Sequence, residues 1–282
     1  MNILSVQSWV AHGHVGNAAA VFPMQRLGAE VWAVNTVQFS NHTGYPDWTG
    51  TVCSGAEIAA IVAGVAARGV LASCDAVLSG YVGDIAVGEA ILEAVGRVKA
   101  ANPAALYCCD PVIGDDDRGI YVRAGVPAFI AQAAVPRADI VTPNQFELAH
   151  LTGRTIATLD EAKAAAAVLS AQGPRIVLVT SLRTAATPAD AIDLLVADSG
   201  ACHLLRTPLL PIIAKGAGDV IAGLFLFHCL AGRGAAAALE AAASAVFGLL
   251  RRTAEAGAPE LLIVAAQEEF VAPSQRFSAL PC

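Results

Sequence analysis

The chain predicts an α/β fold: a single three-layer α/β/α domain over residues 1–282, built on a central, mostly parallel sheet. Three observations predict it. Short apolar runs alternate with helical stretches along the whole length. The runs are apolar throughout, as in strands buried on both faces by crossover helices. No Pro- or Gly-rich linker divides the chain.

The elements follow in order. Asn2–Val6 is a short apolar strand, and Asn17–Leu27 has helical character, with Pro23 as a kink point. Glu30–Val37 is a strand rich in Val and Trp. Gly55–Ala67 is a helix with an alanine and isoleucine face, Ala76–Ser79 a strand and Gly88–Ala101 a helix. Ala105–Cys109 and Ile140–Thr142 are strands that end on Asp110 and Pro143. Asp160–Gln172 is a helix and Ile176–Thr180 a strand. Ile192–Val196 and Ala201–Leu205 form a hairpin around Asp198-Ser199-Gly200. Val220–Leu230 and Ala235–Arg251 are long helices.

Composition limits the function classes. Apolar residues make up 56% and charged residues 15%, enough apolar side chain for a large core and against disorder. The net charge of −7, with only three lysines, excludes general nucleic-acid binding. An anionic ligand therefore needs local help from backbone amides or a metal. Mean hydropathy is +0.59, but Gly, Pro or charge interrupts every apolar run short of a membrane span. Residues 1–10 have no basic segment and read as a strand, so no signal peptide is expected. The seven cysteines include no C-x-x-C pair and read as buried thiols of a cytoplasmic protein. Cys108-Cys109 continues a strand and is not expected to be a redox pair.

Ligands of such sheets bind outside the C-terminal strand ends. Polar residues gather there: Ser8, the stretch Asn35 to Thr43, Gly80-Tyr81, Asp110, Thr142 to Glu147, and Thr180-Ser181. The densest signal is Lys215-Gly216-Ala217-Gly218-Asp219, immediately before an apolar helix. Two glycines allow a tight turn and close approach to a ligand. The helix behind them points its first N–H groups at that turn, which makes an anion site. Asp219 there is either a helix cap or a group that handles a proton. Asn144-x-x-Glu147 is equally a capping box, Asp110-Pro111 a strand-ending turn, and His42 a loop residue. Tyr81 reads equally as a half-buried aromatic. His12 and His14 lack a further ligand at a metal spacing. Asp115-Asp116-Asp117 reads as solvated surface on a flap.

Taken together, an anion cradle, a carboxylate and further acids at strand ends suit phosphoryl transfer. The transferred group needs positive electrostatics and the acceptor hydroxyl a base, and Mg²⁺ is held beside phosphates by one or two carboxylates. The Walker A and protein-kinase motifs are both absent.

The chain resembles the ribokinase-like superfamily and, within it, the bacterial pyridoxal kinases, over nearly its full length. The carriers are Ser5-Val6-Gln7-Ser8 with His12–Asn17, Asn35–Thr43, Leu78–Tyr81, Cys109–Val112, Thr142–Glu147 and Gly216–Asp219. The resemblance implies ATP-dependent phosphorylation of the pyridoxal 5′-hydroxyl, with pyridoxine and pyridoxamine as further acceptors. It implies Asp219 as the base and Gly216, Ala217 and Gly218 as the anion hole. Ser8, His42, Thr43, Gly44 and Tyr81 would surround the pyridine ring. Asp110 and Glu147 would place Mg²⁺ and ATP, with Thr142, Asn144 and Thr180 beside the nucleotide. Arg206, Thr207, Pro208 and Leu209 would flank its base, and the flap after Gly114 would close over the phosphates. A homodimer is implied as well. The family often has a lysine where Thr180 stands, so Lys215 is expected to supply charge to ATP from another direction. Three other functions are weighed: a kinase of another hydroxymethyl heterocycle such as hydroxymethylpyrimidine, a low-turnover carrier of pyridoxal or its phosphate, and a dinucleotide-binding oxidoreductase, against which no G-x-G-x-x-G turn follows the first strand.

Overall fold

A computed structural model describes residues 1–212 and 215–282. Its strands and helices run β1 (Asn2–Val10), α1 (Asn17–Arg26), β2 (Glu30–Phe39), β3 (Gly50–Val52), α2 (Gly55–Ala66), β4 (Ala76–Ser79) and α3 (Ile85–Ala101). There follow β5 (Leu106–Cys109), β6 (Gly114–Asp115), β7 (Gly119–Ile120), α4 (Val126–Phe129), β8 (Ile140–Val141), α5 (Gln145–Thr152) and α6 (Leu159–Ser170). The remainder is β9 (Ile176–Leu182), β10 (Ala191–Asp198), β11 (Ala201–Pro208), α7 (Ala217–Leu230), α8 (Ala235–Glu255), α9 (Glu268–Val271) and β12 (Leu280–Pro281).

Ten strands form one sheet in the order β12-β11-β10-β9-β8-β5-β4-β1-β2-β3. The centre, from β2 to β9, is parallel. The margins are antiparallel: β3 on one side, β10 to β12 on the other. Each strand splits its side chains between two cores, because successive residues face opposite sides. Val77 and Tyr107 join the core under α2, α3 and α6. Their neighbours Leu78 and Cys108 join the core under α1, α7 and α8. This is the expected three-layer α/β/α arrangement. The same alternation puts Cys108 and Cys109 on opposite faces, and both are reduced thiols.

From β1 the chain turns to β2 on one side and later returns to β4 on the other. The crevice at this reversal is where open α/β sheets bind ligands. A bulge on β2 lies opposite Ser8, between the pairs Gln7↔Asn35 and Trp9↔Gln38. Bulges re-aim side chains beside active sites.

Several element limits differ from the sequence reading, for physical reasons. β1 continues past Val6 to Val10 because β2 extends to Phe39 and keeps pairing with it. Helix α3 starts at Ile85, not Gly88, because the Asp84 carboxylate caps it by accepting from the Val87 N–H at 3.0 Å. Gly88 serves packing: a Cβ there would overlap the Phe129 ring. The β10–β11 hairpin closes on Ser199 (φ 51) and Gly200 (φ 89), the left-handed pair of a two-residue turn. The acidic run proves to be one end of a small hairpin, β6–β7.

Candidate active site

The C-terminal strand ends open onto a cavity of about 340 Å³. Ser8 enters it from β1, Tyr81 from beyond β4, Asp110 from beyond β5 and Thr142 from beyond β8. Thr180 comes from β9, and Asn144 and Glu147 from the start of α5. His42 and Thr43 reach it from the loop after β2. Lys215, Gly216, Ala217, Gly218 and Asp219 close the wall at the start of α7.

A second cavity of about 200 Å³ adjoins it and shares Thr180, Ser181, Ala217 and Gly218. Thr207, Pro208 and Leu209 line this one, facing Ile221, Val246 and Phe247. A polar chamber and an apolar one thus meet at the glycine turn. Gly44 and Arg206 line neither chamber. The Gly44 N–H instead donates to His42 Nδ1 at 2.9 Å. Arg206 makes a two-pronged pair with buried Asp193, Nε to Oδ1 at 2.6 Å and one terminal nitrogen to Oδ2 at 2.8 Å. The guanidinium is therefore spent on its own hairpin, a correction to its expected place beside the nucleotide base.

The turn is built for close approach. Gly216 has φ 92, and a Cβ there would collide with the His14 carbonyl oxygen. The loop after β1 therefore packs directly against the turn. Helix α7 begins at Ala217, and the N–H groups of its first turn precede the helical ladder. They border the polar chamber with the positive end of the helix dipole behind them.

Besides Asp115 of the flap, three carboxylates share this chamber. Burial pushes Asp219 up to about 6, against the N–H groups of Gly16 and of Asp219 itself. Burial pushes Glu147 up to about 7, even though the N–H groups of Ile113, Gly114 and Asn144 donate to it at 2.9, 3.4 and 2.9 Å. Burial, then Glu147 and then Asp219, raise Asp110 well above the usual carboxylate range. The Thr142 hydroxyl donates to Asp110 Oδ1 at 2.8 Å and favours the charged form. The Asn144–Glu147 capping box is real, since Glu147 N–H donates back to Asn144 Oδ1 at 2.9 Å. It also belongs to the chamber, because Asn144 Nδ2 donates to the Gly114 carbonyl at 2.8 Å and ties down the β6–β7 flap.

Asp110 and Glu147 fit a hard cation such as Mg²⁺. Both offer only oxygen, both are buried, and neither has a Lys or Arg partner among the described residues. Among the described residues no group of three His, Cys, Asp or Glu forms a ready cage. That suits Mg²⁺ held by one or two carboxylates together with phosphates and water.

His42 Nδ1 accepts a hydrogen bond, so the neutral ring carries its proton on Nε2. Burial, then Lys215 and Arg118, lower its pKa and hold it neutral. The sequence reading missed Arg118, Tyr121 and Asp115, which reach the chamber from and beside the flap. Arg118 stacks over Tyr121 at 5.1 Å. Ser181, placed with Thr180 at the strand end by its sequence but given no role, has a φ of 53, a left-handed strain near the end of β9. The Asp115–Asp117 run offered a signal, since acids on a flap beside a phosphate site can face inward.

The fold and the paired chambers are those of a small-molecule phosphotransferase. The family model of phosphomethylpyrimidine kinases matches residues 50–261. A relative from Granulibacter bethesdensis, named pyridoxal kinase PdxY, is 63% identical over 286 residues, covering 100% of both chains. A Rubrobacter xylanophilus protein of the same name is 56% identical, covering 98% of this chain and 96% of its own. The solved pyridoxal kinase from Leishmania donovani, in complex with ADP and pyridoxine, superposes with a TM-score of 0.92. It is 29% identical and is covered over 99%, against 100% of this chain. The chain belongs to the pyridoxal kinase family.

Proposed function

We propose that this protein transfers the γ-phosphoryl group of ATP to the 5′-hydroxyl of pyridoxal, giving pyridoxal 5′-phosphate. The observation that carries the reading is the position of Asp219. It lines the polar chamber, suited to the acceptor, one residue past Gly218, which that chamber shares with an apolar chamber suited to a nucleotide base. Asp219 takes the hydroxyl proton. The first-turn N–H groups of α7, from Gly216 to Gly218, receive the migrating phosphoryl group, a preorganised donor set of the kind that dominates many active sites. Ser8, Thr43 and Tyr81 hold the ring, and His42 Nε2–H is a donor toward its substituents. Thr207, Pro208 and Leu209 flank the nucleotide base. Asp110, with Glu147 acting through water, would hold Mg²⁺, which when bound supplies positive charge beside the β- and γ-phosphates. The Thr142 hydroxyl favours the charged form of Asp110, and Asn144 anchors the flap that excludes water. Lys215 supplies the phosphate charge that Thr180 cannot.

We read residues 1–282 as one domain that works in the cytoplasm as a homodimer. Among the described residues no helix is long and apolar enough to cross a membrane. The match to phosphomethylpyrimidine kinases favours one second reading, a hydroxymethylpyrimidine acceptor. The test is product formation by purified protein with Mg²⁺ and ATP. Pyridoxal, pyridoxine, pyridoxamine and hydroxymethylpyrimidine are compared. The proposal expects pyridoxal 5′-phosphate with the highest kcat/KM for pyridoxal. Turnover of the pyrimidine alone would transfer the protein to the second reading, and pyridoxal binding without ATP consumption would make it a carrier.

A further inference from the structure

The loop that carries His42 and Thr43 is fastened at its outer end by a residue from the far side of the chain. Tyr45 OH donates to Glu260 Oε1 at 2.5 Å. The other oxygen, Glu260 Oε2, accepts from the His14 N–H at 3.4 Å. Gly13 (φ 86) leaves no room for a side chain there, since a Cβ would overlap the Glu260 carboxylate. The next residue, Leu261, is buried and lies 3.3 Å from where a Cβ on Gly216 would stand. The Glu260 carboxylate thus joins the loop after β1 to the loop after β2, and its neighbour Leu261 packs behind the glycine turn. Glu260 has no Lys or Arg partner among the described residues, so it serves a phenol and a backbone amide instead. Within its loop, Tyr45 N–H donates to the His42 carbonyl at 3.1 Å, so the fastening passes directly to His42. Trp48 of the same loop stacks on Phe39 with centroids 4.4 Å apart.

We propose that Tyr45 and Glu260 are positioning residues for the acceptor: their hydrogen bond latches the 40–49 loop over the polar chamber and sets His42 and Thr43 against the pyridine ring. This rests on the pyridoxal kinase reading for its substrate, while the latch itself can be measured without any substrate. Neither residue lines either chamber, so neither touches the reacting atoms.

The test uses Tyr45→Phe, which keeps the ring, and Glu260→Gln, which keeps the shape. In ligand-free protein, amide hydrogen exchange across residues 41–49 should speed up about 3- to 10-fold in both variants, and no further in the double variant. Residues 176–182 of β9 should exchange as in the wild type. In turnover, the KM for pyridoxal should rise about 3- to 10-fold while the KM for ATP stays put. Unchanged exchange in 41–49 would overturn the latch. So would additive effects in the double variant, or equal rises in both KM values. If wild-type protein makes no pyridoxal 5′-phosphate, the function fails, yet the exchange result still decides the latch.

Discussion

Asp219 and Lys215 stand four residues apart at one turn and carry opposite demands. Asp219 must be ionised to accept a proton, and burial pushes it up to about 6. The kcat/KM of the wild type should therefore fall on the acid side below about pH 6, a limb that Asp219→Asn should lack; a pH–rate series checks both. Lys215 lines the polar chamber and acts on His42, so it faces the loop side of the chamber. A charge-assisted contact to phosphate is worth on the order of 1–3 kcal/mol. Lys215→Ala should raise the KM for ATP at least about fivefold, with a smaller change for pyridoxal, as steady-state kinetics would read. At this scale much of the site was legible. Asp110, Glu147 and Asp219 each follow a strand or open a helix, and local sequence marks those places; Ser8 lies within β1, which runs on to Val10. Arg206 misled because its neighbours Thr207 and Leu209 do line the second chamber. Only the tertiary pairing with Asp193, across the hairpin, decides where the guanidinium goes.

Helix α5 illustrates how one element serves two purposes. Asn144 caps it and at the same time holds the flap through the Gly114 carbonyl. Removing an N-cap side chain costs about 0.5–2 kcal/mol. Asn144→Ala should therefore lower stability by about 1–2 kcal/mol in a denaturation series and also raise the KM for ATP, because the flap loses its anchor. A cap without the second duty would change stability alone. The capping pattern was visible in sequence, yet the eight-residue helix behind it was too short for apolar periodicity to mark. Short strands such as β3, β6, β7 and β12 escaped for the same reason, since two or three residues carry no pattern. The parallel strands and α7 and α8 were plain, because burial on both faces writes continuous apolar runs. Gly88 marks the limit of local reading: it suggests a helix start, while contact with Phe129 is what requires it.

Across the whole molecule, the site sets its charge against stability. Asp110, Glu147 and Asp219 all have folded pKa values above the ordinary range. Such a group binds more protons folded than unfolded between its two pKa values, so stability falls as pH rises through that window. The ligand-free protein should gain stability as pH drops from about 7 toward 5, while activity declines. Asp110→Asn should raise the Tm of ligand-free protein by about 2 °C or more, since the Thr142 hydroxyl keeps its acceptor and the repulsion goes. The same variant should lose most of its turnover, and calorimetry beside kinetics checks the pair. A cation with ATP reverses the balance by mass action, and their joint addition should raise Tm. The three-layer fold was legible because alternation and composition extend over the chain; the junction of two chambers was not, since it is formed by segments distant in sequence. The central claim is that Asp219, beside that junction, is the base. The most direct measurement is single-turnover formation of pyridoxal 5′-phosphate by wild type and Asp219→Asn, with pyridoxal binding measured in parallel. General-base catalysis contributes about 10²- to 10⁴-fold, so the variant should bind pyridoxal normally and turn over at least about 10²-fold more slowly. Near wild-type turnover in Asp219→Asn would contradict the account.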